Sequence, residues 1–129
     1  MSNQVIATLN APAAIGPYSQ AIAVPATARL VFCSGQVALT PDGQFIDGDA
    51  TAQTRQAMIN LGEVLSAAGA TFGDVVKVTI FLKDLGDYGA VNAVYAEYFD
   101  EAPPARAAVE VARLPKDALV EIECIAAIS

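Results

Sequence analysis

Arg106 stands in a segment, residues 104–112, that is otherwise made almost entirely of small and apolar residues. A guanidinium is always charged and strongly hydrated, so a half-buried one requires an anionic partner. That partner is either a carboxylate of the chain or a bound ligand. Glu110 is the internal candidate, because four residues along a strand keep two side chains on the same face. Spacing alone leaves the ion pair and the ligand clamp equally open.

Carboxylates near the end of the chain are the candidates for proton transfer. Residues 105–113 and 119–128 are predicted to be two strands that pair antiparallel around a turn. That pairing would place Glu110 opposite Glu121, on the same side of the sheet as Arg106. Crowded carboxylates repel one another, which raises the pKa of at least one toward the range useful for proton transfer. The carboxylates expected in this region are Glu110, Glu121 and Glu123.

The residue types that the chain lacks narrow the chemistry further. It has no histidine, which excludes Ser-His-Asp and Cys-His catalysis and any histidine-based metal site. Cys33 and Cys124 lie far apart in two apolar segments, which favours buried, inert thiols over a disulfide. Ser34 has no base to activate it as a nucleophile. We therefore expect neither a metal nor a cofactor.

The length and amino-acid composition of the chain limit its domain count, its classes of binding partner and its location. A chain of 129 residues fits one domain, 1–129, with its own core. The net charge of −7 argues against nucleic acid, which is held through clustered Lys and Arg. No segment approaches the roughly 20 apolar residues of a membrane span, and the N-terminus lacks a secretory signal. We therefore expect a cytoplasmic protein that does not bind membranes.

Apolar residues make up 54% of the chain and charged residues only 16%. A typical domain has roughly a quarter of its residues charged, so the surplus apolar surface predicts a homo-oligomer.

The expected order is β-β-α-β-α-β-β, an α+β fold with two helices on one face of a mostly antiparallel sheet. The other face would be left for contact with further subunits. The predicted elements before the last two strands are a hairpin of strands 20–25 and 29–38, a helix capped by Asp49 and ending near Gly69, a strand at 75–83, and a helix capped by Asp87 and stopped by Pro103.

Several short motifs occur together along the chain. They are residues 10–20 (NAPAAIGPYSQ), residues 33–36 (CSGQ), residues 91–95 (VNAVY), residues 104–117 (PARAAVEVARLPKD) and residues 121–123 (EIE). In this order they resemble the YjgF/RidA family of reactive-intermediate (enamine/imine) deaminases, also described as the endoribonuclease L-PSP family. Each motif alone is weak, but the set is specific and spans nearly the whole chain.

The resemblance implies a chorismate-mutase-like homotrimer, with three sheets around a central β-barrel and clefts between subunits. It implies cofactor-free hydrolysis of small 2-imino acids, which arise from the enamines released by pyridoxal-phosphate dehydratases, to 2-oxo acids and ammonia. In this family Arg106 would bind the substrate carboxylate and Glu121 would position or deprotonate the water. The pocket-lining positions would be Tyr18, Ser34, Gly35 and Asn92. A non-catalytic trimer that senses small carboxylates is the alternative, whereas ribonuclease activity fits the charge and the missing histidines poorly.

The chain also departs from the family pattern. Many relatives carry a hydroxyl or thiol residue just after the arginine, where this chain has Ala107 and Ala108. The pocket is therefore expected to be roomier and to lack thiol chemistry. The segment between Phe99 and Pro104 looks short and the predicted hairpin before Ser34 extended, so substrate preference is expected to differ from that for 2-aminoacrylate-derived imines.

Overall fold

The computed structural model describes residues 2–129. The helices are α1 (Ala50–Ala67) and α2 (Tyr88–Tyr95), and neither of them, nor any other helix in the described chain, is long and apolar enough to cross a membrane. The strands in this part of the chain are β1 (Gln4–Ile6), β2 (Ala21–Ala23), β3 (Arg29–Gln36), β4 (Val75–Leu82), β5 (Ala105–Glu110) and β6 (Val120–Ile128).

The main sheet has four strands in the order β3-β6-β4-β5. β6 is antiparallel to both of its neighbours, whereas β4 and β5 are parallel. Parallel neighbours need a crossover, since the chain must return to the same end of the sheet. α2 lies on that crossover, in the connection from β4 to β5. The expected α+β class is confirmed: two helices and a mixed sheet, mostly antiparallel.

Cross-strand partners define the two faces of this sheet. Arg106 of β5 is the partner of Val78, which is in turn the partner of Cys124. These residues share what we call the helix face, because Val78 and Cys124 belong to the buried core that includes Leu61 of α1 and Tyr95 of α2. The opposite side, the open face, carries Thr79, Phe81, Glu121, Glu123 and Phe32.

The first helix follows its sequence signals. Asp49 caps it, and its Oδ1 accepts the N–H of Ala52 at 2.9 Å. The stripe of Met58, Leu61 and Leu65 is fully buried. Gly69, just past the last turn, has a φ of +80°, a left-handed conformation that glycine adopts without steric cost. The predicted start and end of α1 are confirmed.

The predicted hairpin of strands 20–25 and 29–38 is wrong. Its turn exists, since Ala28 N–H donates to the Pro25 carbonyl at 3.0 Å. However, β2 pairs with the N-terminal strand β1 in a separate ribbon, and β3 pairs with β6. β6 supplies nine residues, a much longer partner for β3 than the three residues of β2.

The predicted pairing of the last two strands is also wrong. β4 lies between β5 and β6, so Glu110 is the partner of Leu82 and Glu121 is the partner of Phe81. The physical reason is the apolar character of β4: its inward side chains are fully buried and gain from having a strand on each side. Glu121 and Glu123 therefore lie on the opposite face of the sheet from Arg106.

The second helix is shorter than its sequence signals predict. It ends at Tyr95 and continues as a 3₁₀ turn, Ala96–Tyr98, before Pro103 is reached. Asp87 occupies the cap position, but its side chain makes no capping hydrogen bond. The side chain of Asp84 instead accepts Gly86 N–H at 2.8 Å and caps the 3₁₀ turn that leads into α2.

Candidate functional site

The guanidinium of Arg106 is held by two neutral acceptors from one turn of α2. Nη1 donates to Asn92 Oδ1 at 2.7 Å, and Nη2 donates to the Tyr88 hydroxyl at 2.7 Å. Residues 88 and 92 are four apart, so both side chains project from the same side of the helix. α2 thus fixes both terminal nitrogens of Arg106.

Three tyrosine rings surround the same guanidinium. Its Cζ lies 5.0 Å from the ring centroid of Tyr95 and 5.6 Å from those of Tyr18 and Tyr88. These are distances at which the negative face of an aromatic ring attracts a cation. Tyr95 is fully buried, and burial raises the pKa of its phenol although the Arg106 charge opposes the shift. The rings therefore support the cation without neutralising it.

No carboxylate of residues 2–129 makes a salt bridge with Arg106; the ion pairs found there are Arg55–Glu97 and Arg113–Asp117. Glu110, the internal candidate, accepts the backbone N–H of Leu85 at 3.0 Å instead. A guanidinium has five N–H donors, and two of those on Arg106 are used. The other three donors have no hydrogen-bond partner among the described residues, and the side chain is only partly buried.

The free side of Arg106 opens onto a cleft of about 480 Å³, which we call the Arg106 cleft. It is lined by Tyr18, Leu85, Tyr88, Arg106 and Ala108. Ala108 lies two residues after Arg106 on the same face of β5, so its small side chain leaves the floor of the cleft open. Ala107 is exposed on the other face.

Tyr18 reaches Arg106 because its neighbours fix the backbone. Ser19 donates its hydroxyl to the Pro103 carbonyl, and its N–H donates to the Pro104 carbonyl at 3.1 Å. These bonds tie residue 19 to the start of β5. A Cβ on Gly16 would lie 3.4 Å from the Tyr18 ring and 3.8 Å from Arg106 Nη2, so the turn at residue 16 lies directly beside both side chains.

A larger groove of about 710 Å³ runs between the N-terminal segment and residues 100–103. Its lining is mostly apolar, and the charged residues on it are Asp100 and Glu101. Carboxylates repel an anion, so this groove is a poorer anion site than the Arg106 cleft despite its size.

The other predicted site residues meet on the open face. The Glu121 side chain lies across Gly35 of β3: a Cβ on Gly35 would be 2.5 Å from Oε2 and 2.9 Å from the carboxyl carbon. Glycine is thus required here for the carboxylate to lie over the strand. Alternation along β3 places Ser34 on the same face, where it is exposed. Ser34, Gly35 and Glu121 form what we call the Glu121 patch.

The structure therefore divides the predicted site residues into two groups. Tyr18 and Asn92 both contact Arg106, and Ser34, Gly35 and Glu121 come together at the Glu121 patch. Within one chain the sheet separates the two groups. The family resemblance predicted all six positions as site residues, but neither it nor the residues alone predicted this division.

Two of the tyrosines around Arg106, Tyr88 and Tyr95, were not predicted as site residues. Tyr95 is a buried core residue, and its ring also faces the guanidinium. Tyr88 had a sequence signal that could have been used: it precedes Asn92 by four residues, and side chains at that spacing share a helix face.

The two cysteines lie beside each other as cross-strand partners, Cys33 on β3 and Cys124 on β6. Both are free and buried, as expected. Burial, together with the neighbouring thiol, raises the pKa of Cys124 to about 12. A thiol with so high a pKa is a poor nucleophile at neutral pH.

Comparison with known proteins gives a consistent result. The family model described as Endoribonuclease L-PSP matches residues 8–128. A RutC family protein of Synechocystis is 52% identical over 129 residues, covering 98% of this chain and 97% of the relative. The mouse 2-iminobutanoate/2-iminopropanoate deaminase is 52% identical over 124 residues, covering 95% of this chain and 90% of the relative.

Solved structures agree. The crystal structure of E. coli TdcF with bound serine is 42% identical, covers 98% of this chain and 99% of its own, and superposes with a TM-score of 0.74. Sequence motifs, family model and fold all lead to the same assignment. The chain belongs to the Endoribonuclease L-PSP family, the YjgF/RidA family that its motifs indicated.

Proposed function

We propose that this protein hydrolyses small 2-imino acids to 2-oxo acids and ammonia. The observation that carries the proposal is the Arg106 guanidinium, half-buried and lined by aromatic rings, which has no carboxylate partner among the described residues. In a chain of net charge −7, such a cation is a local site for an anion. A planar carboxylate fits it best, because two parallel N–H···O bonds match the geometry of the guanidinium.

The names of the relatives support a substrate with an imine next to a carboxylate. The mouse relative is named for 2-iminobutanoate and 2-iminopropanoate, which are carboxylates with an imine at the adjacent carbon. The TdcF structure holds serine, a small molecule that also carries a carboxylate. Binding that carboxylate on Arg106 would place the imine carbon at a fixed distance from the guanidinium, so orientation supplies part of the catalysis.

The chemical step needs one water and one proton acceptor. Water attacks the imine carbon, and the C=N double bond becomes a C–N single bond. The imine nitrogen carries an extra proton from solvent when the water attacks. Glu121 would take one proton of the water and pass it to the nitrogen of the tetrahedral intermediate, and the hydroxyl proton that remains goes to solvent as the intermediate collapses. The C–N bond breaks, ammonia leaves and the carbonyl of the 2-oxo acid forms. General base help of this kind contributes about 10²–10⁴-fold.

Arg106 and Glu121 lie on opposite faces of one sheet, so we infer that a site uses both only across two copies of the chain. The open face supports self-association, because it leaves apolar side chains uncovered: Phe32 is 72% exposed and Leu30 46%. We propose a homotrimer whose sheets form a central barrel, in which Arg106 of one copy and Glu121 of another border one cleft.

A non-catalytic carboxylate sensor is the second candidate. One observation favours it: the Arg106 cleft with its tyrosines is complete within a single chain, without Glu121. The two functions are separated by turnover. A sensor binds 2-oxo acids in an Arg106-dependent manner but accelerates no imine hydrolysis.

The test is a coupled assay in which a serine or threonine dehydratase generates the imine and the release of 2-oxo acid is followed. We expect the protein to accelerate release and Arg106→Ala to abolish the gain. Arg113→Ala is the matched control, since Arg113 is exposed and paired with Asp117. No acceleration over the uncatalysed rate by the unmodified protein would overturn the proposal.

A further inference from the structure

Tyr88 is the first residue of α2 and forms one wall of the Arg106 cleft. Its ring lies near the guanidinium and its hydroxyl accepts a hydrogen bond from Nη2 at 2.7 Å. The side chain is also partly exposed, so a molecule entering the cleft meets it. Neither the motifs nor the names of the relatives give Tyr88 a role.

The direction of the Arg106–Tyr88 bond has a consequence for the phenol. A guanidinium only donates, so the Tyr88 oxygen must be the acceptor and its own hydrogen must point elsewhere. Within residues 2–129 no acceptor for that hydrogen is found. The O–H is therefore a free donor next to the free donors of Arg106. A bound anion would meet both.

Asn92 is less well placed than Tyr88 to touch a bound ligand. Its Oδ1 accepts from Nη1, and it is less exposed than Tyr88. Asn92 is not among the residues that line the cleft, whereas Tyr88 is. Of the two acceptors that hold Arg106, Tyr88 is the one placed to touch the ligand as well.

We propose that Tyr88 is a specificity-determining residue for the carboxylate of the substrate: its oxygen holds Nη2 of Arg106 while its O–H donates to a carboxylate oxygen bound there. This inference rests on the proposed function for the identity of the substrate. It adds a third hydrogen bond to the two that the guanidinium can give. Hydrogen bonds to charged groups are stronger than neutral ones, so the phenol favours a carboxylate over a neutral carbonyl group.

The test variant is Tyr88→Phe, which keeps the aromatic ring and removes only the hydroxyl. Tyr98→Phe is the matched control, because Tyr98 packs against Phe72 away from the cleft. Titration with 2-oxobutanoate, the expected product, measures carboxylate binding without turnover. Titration with 2-oxobutanamide measures the neutral counterpart, and thermal unfolding checks the fold of both variants.

We expect Tyr88→Phe to weaken 2-oxobutanoate binding about tenfold or more, as loss of a hydrogen bond to a charged group predicts. Binding of 2-oxobutanamide should weaken by only about fivefold or less, as loss of a neutral hydrogen bond predicts. In the imine assay KM should rise while kcat stays nearly constant, because the bond is made equally in ground and transition states. Tyr98→Phe should change none of these.

Unchanged 2-oxobutanoate binding in Tyr88→Phe would overturn the inference, as would an equal loss for acid and amide. So would an unmodified protein that binds no 2-oxobutanoate. These measurements distinguish a failure of the Tyr88 role from a failure of the proposed deaminase activity. Tyr88-dependent binding without imine hydrolysis would reject the deaminase activity alone, and hydrolysis unaffected by Tyr88→Phe would reject the Tyr88 role alone.

Discussion

Arg106 and Glu121 lie on opposite faces of the same four-stranded sheet, two strands apart. Arg106 shares the helix face with Val78 and Cys124, and Glu121 shares the open face with Phe81. The pair that the family motifs assign to one reaction is therefore divided by the backbone of β4. The proposed reaction therefore requires two copies of the chain, because one copy does not bring both side chains to one face.

Gly35→Ala should lower activity without unfolding the protein. The new Cβ would lie 2.5 Å from Glu121 Oε2, so the carboxylate must move away from its place over β3. A displacement of about 1 Å in a positioning group costs on the order of 10²-fold in rate. Steady-state kinetics should show a fall in kcat. Gly73→Ala is the control, because its Cβ would meet only Thr71 Oγ1, at an ordinary 3.4 Å; equal activity of the two variants would contradict the prediction.

Glu121→Gln should separate catalysis from binding. The amide keeps the size of the side chain but cannot take a proton, so kcat should fall by about 10²-fold or more. Binding of 2-oxobutanoate should persist, because Arg106 is unchanged. Glu123→Gln is the matched control: Glu123 lies on the same strand and face, and it is exposed. A comparable loss of kcat in Glu123→Gln would show that the effect is not specific to Glu121.

The sequence predicted the elements of the fold better than their arrangement. Helix α1 was predicted from the Asp49 cap and from Gly69 at its end, both of which are local signals. Pairing depends on contacts far apart in sequence. Nothing within residues 105–128 indicates that β4 inserts between the last two strands, and that insertion decides on which face Glu121 lies.

The candidate site shows the same limit. Arg106 was recognisable as an isolated cation on an apolar strand, and its partner could not be decided by spacing. In the structure Glu110 is not the partner of Arg106, because its carboxylate accepts the N–H of Leu85. Tyr88 and Tyr95 escaped prediction because aromatic residues on a helix are usually core, and only the crossover from β4 to β5 brings α2 over Arg106.

Cys33 and Cys124 should stay unreactive in the folded protein. Burial raises the pKa of Cys124 to about 12, whereas its ordinary value is 9.0. The native thiol therefore stays protonated between those pH values while the unfolded thiol ionises, so the free energy of unfolding should fall as pH rises from about 9 to 12. Chemical denaturation at pH 8, 9, 10 and 11 measures the slope.

A Cys124→Ala variant is the control for that slope. It loses apolar contacts, so it should be less stable at pH 8, but its stability should fall less steeply with pH. A thiol-reactive dye should label the unmodified protein only after denaturant is added. Rapid labelling under native conditions would contradict the burial of both thiols.

Phe32→Asp should weaken self-association. Phe32 is 72% exposed on the open face, and a charge placed in an apolar interface leaves an unpaired buried ion when the interface closes. Sedimentation velocity should show a smaller species. Ile59→Asp is the matched control, because Ile59 is also an exposed apolar residue, 46% accessible, but lies on α1. Identical assembly of both variants and the unmodified protein would contradict an interface on the open face.

In the proposed trimer, Arg106 of one copy and Glu121 of another serve the same substrate. Arg106→Ala and Glu121→Gln should each be inactive alone. Denatured together in equal amounts and refolded, they should regain activity, because random assembly in a ring pairs an intact arginine with an intact glutamate in about one quarter of the sites. The refolded mixture should have roughly a quarter of the activity of the refolded unmodified protein. Recovered assemblies as inactive as either variant alone would contradict it.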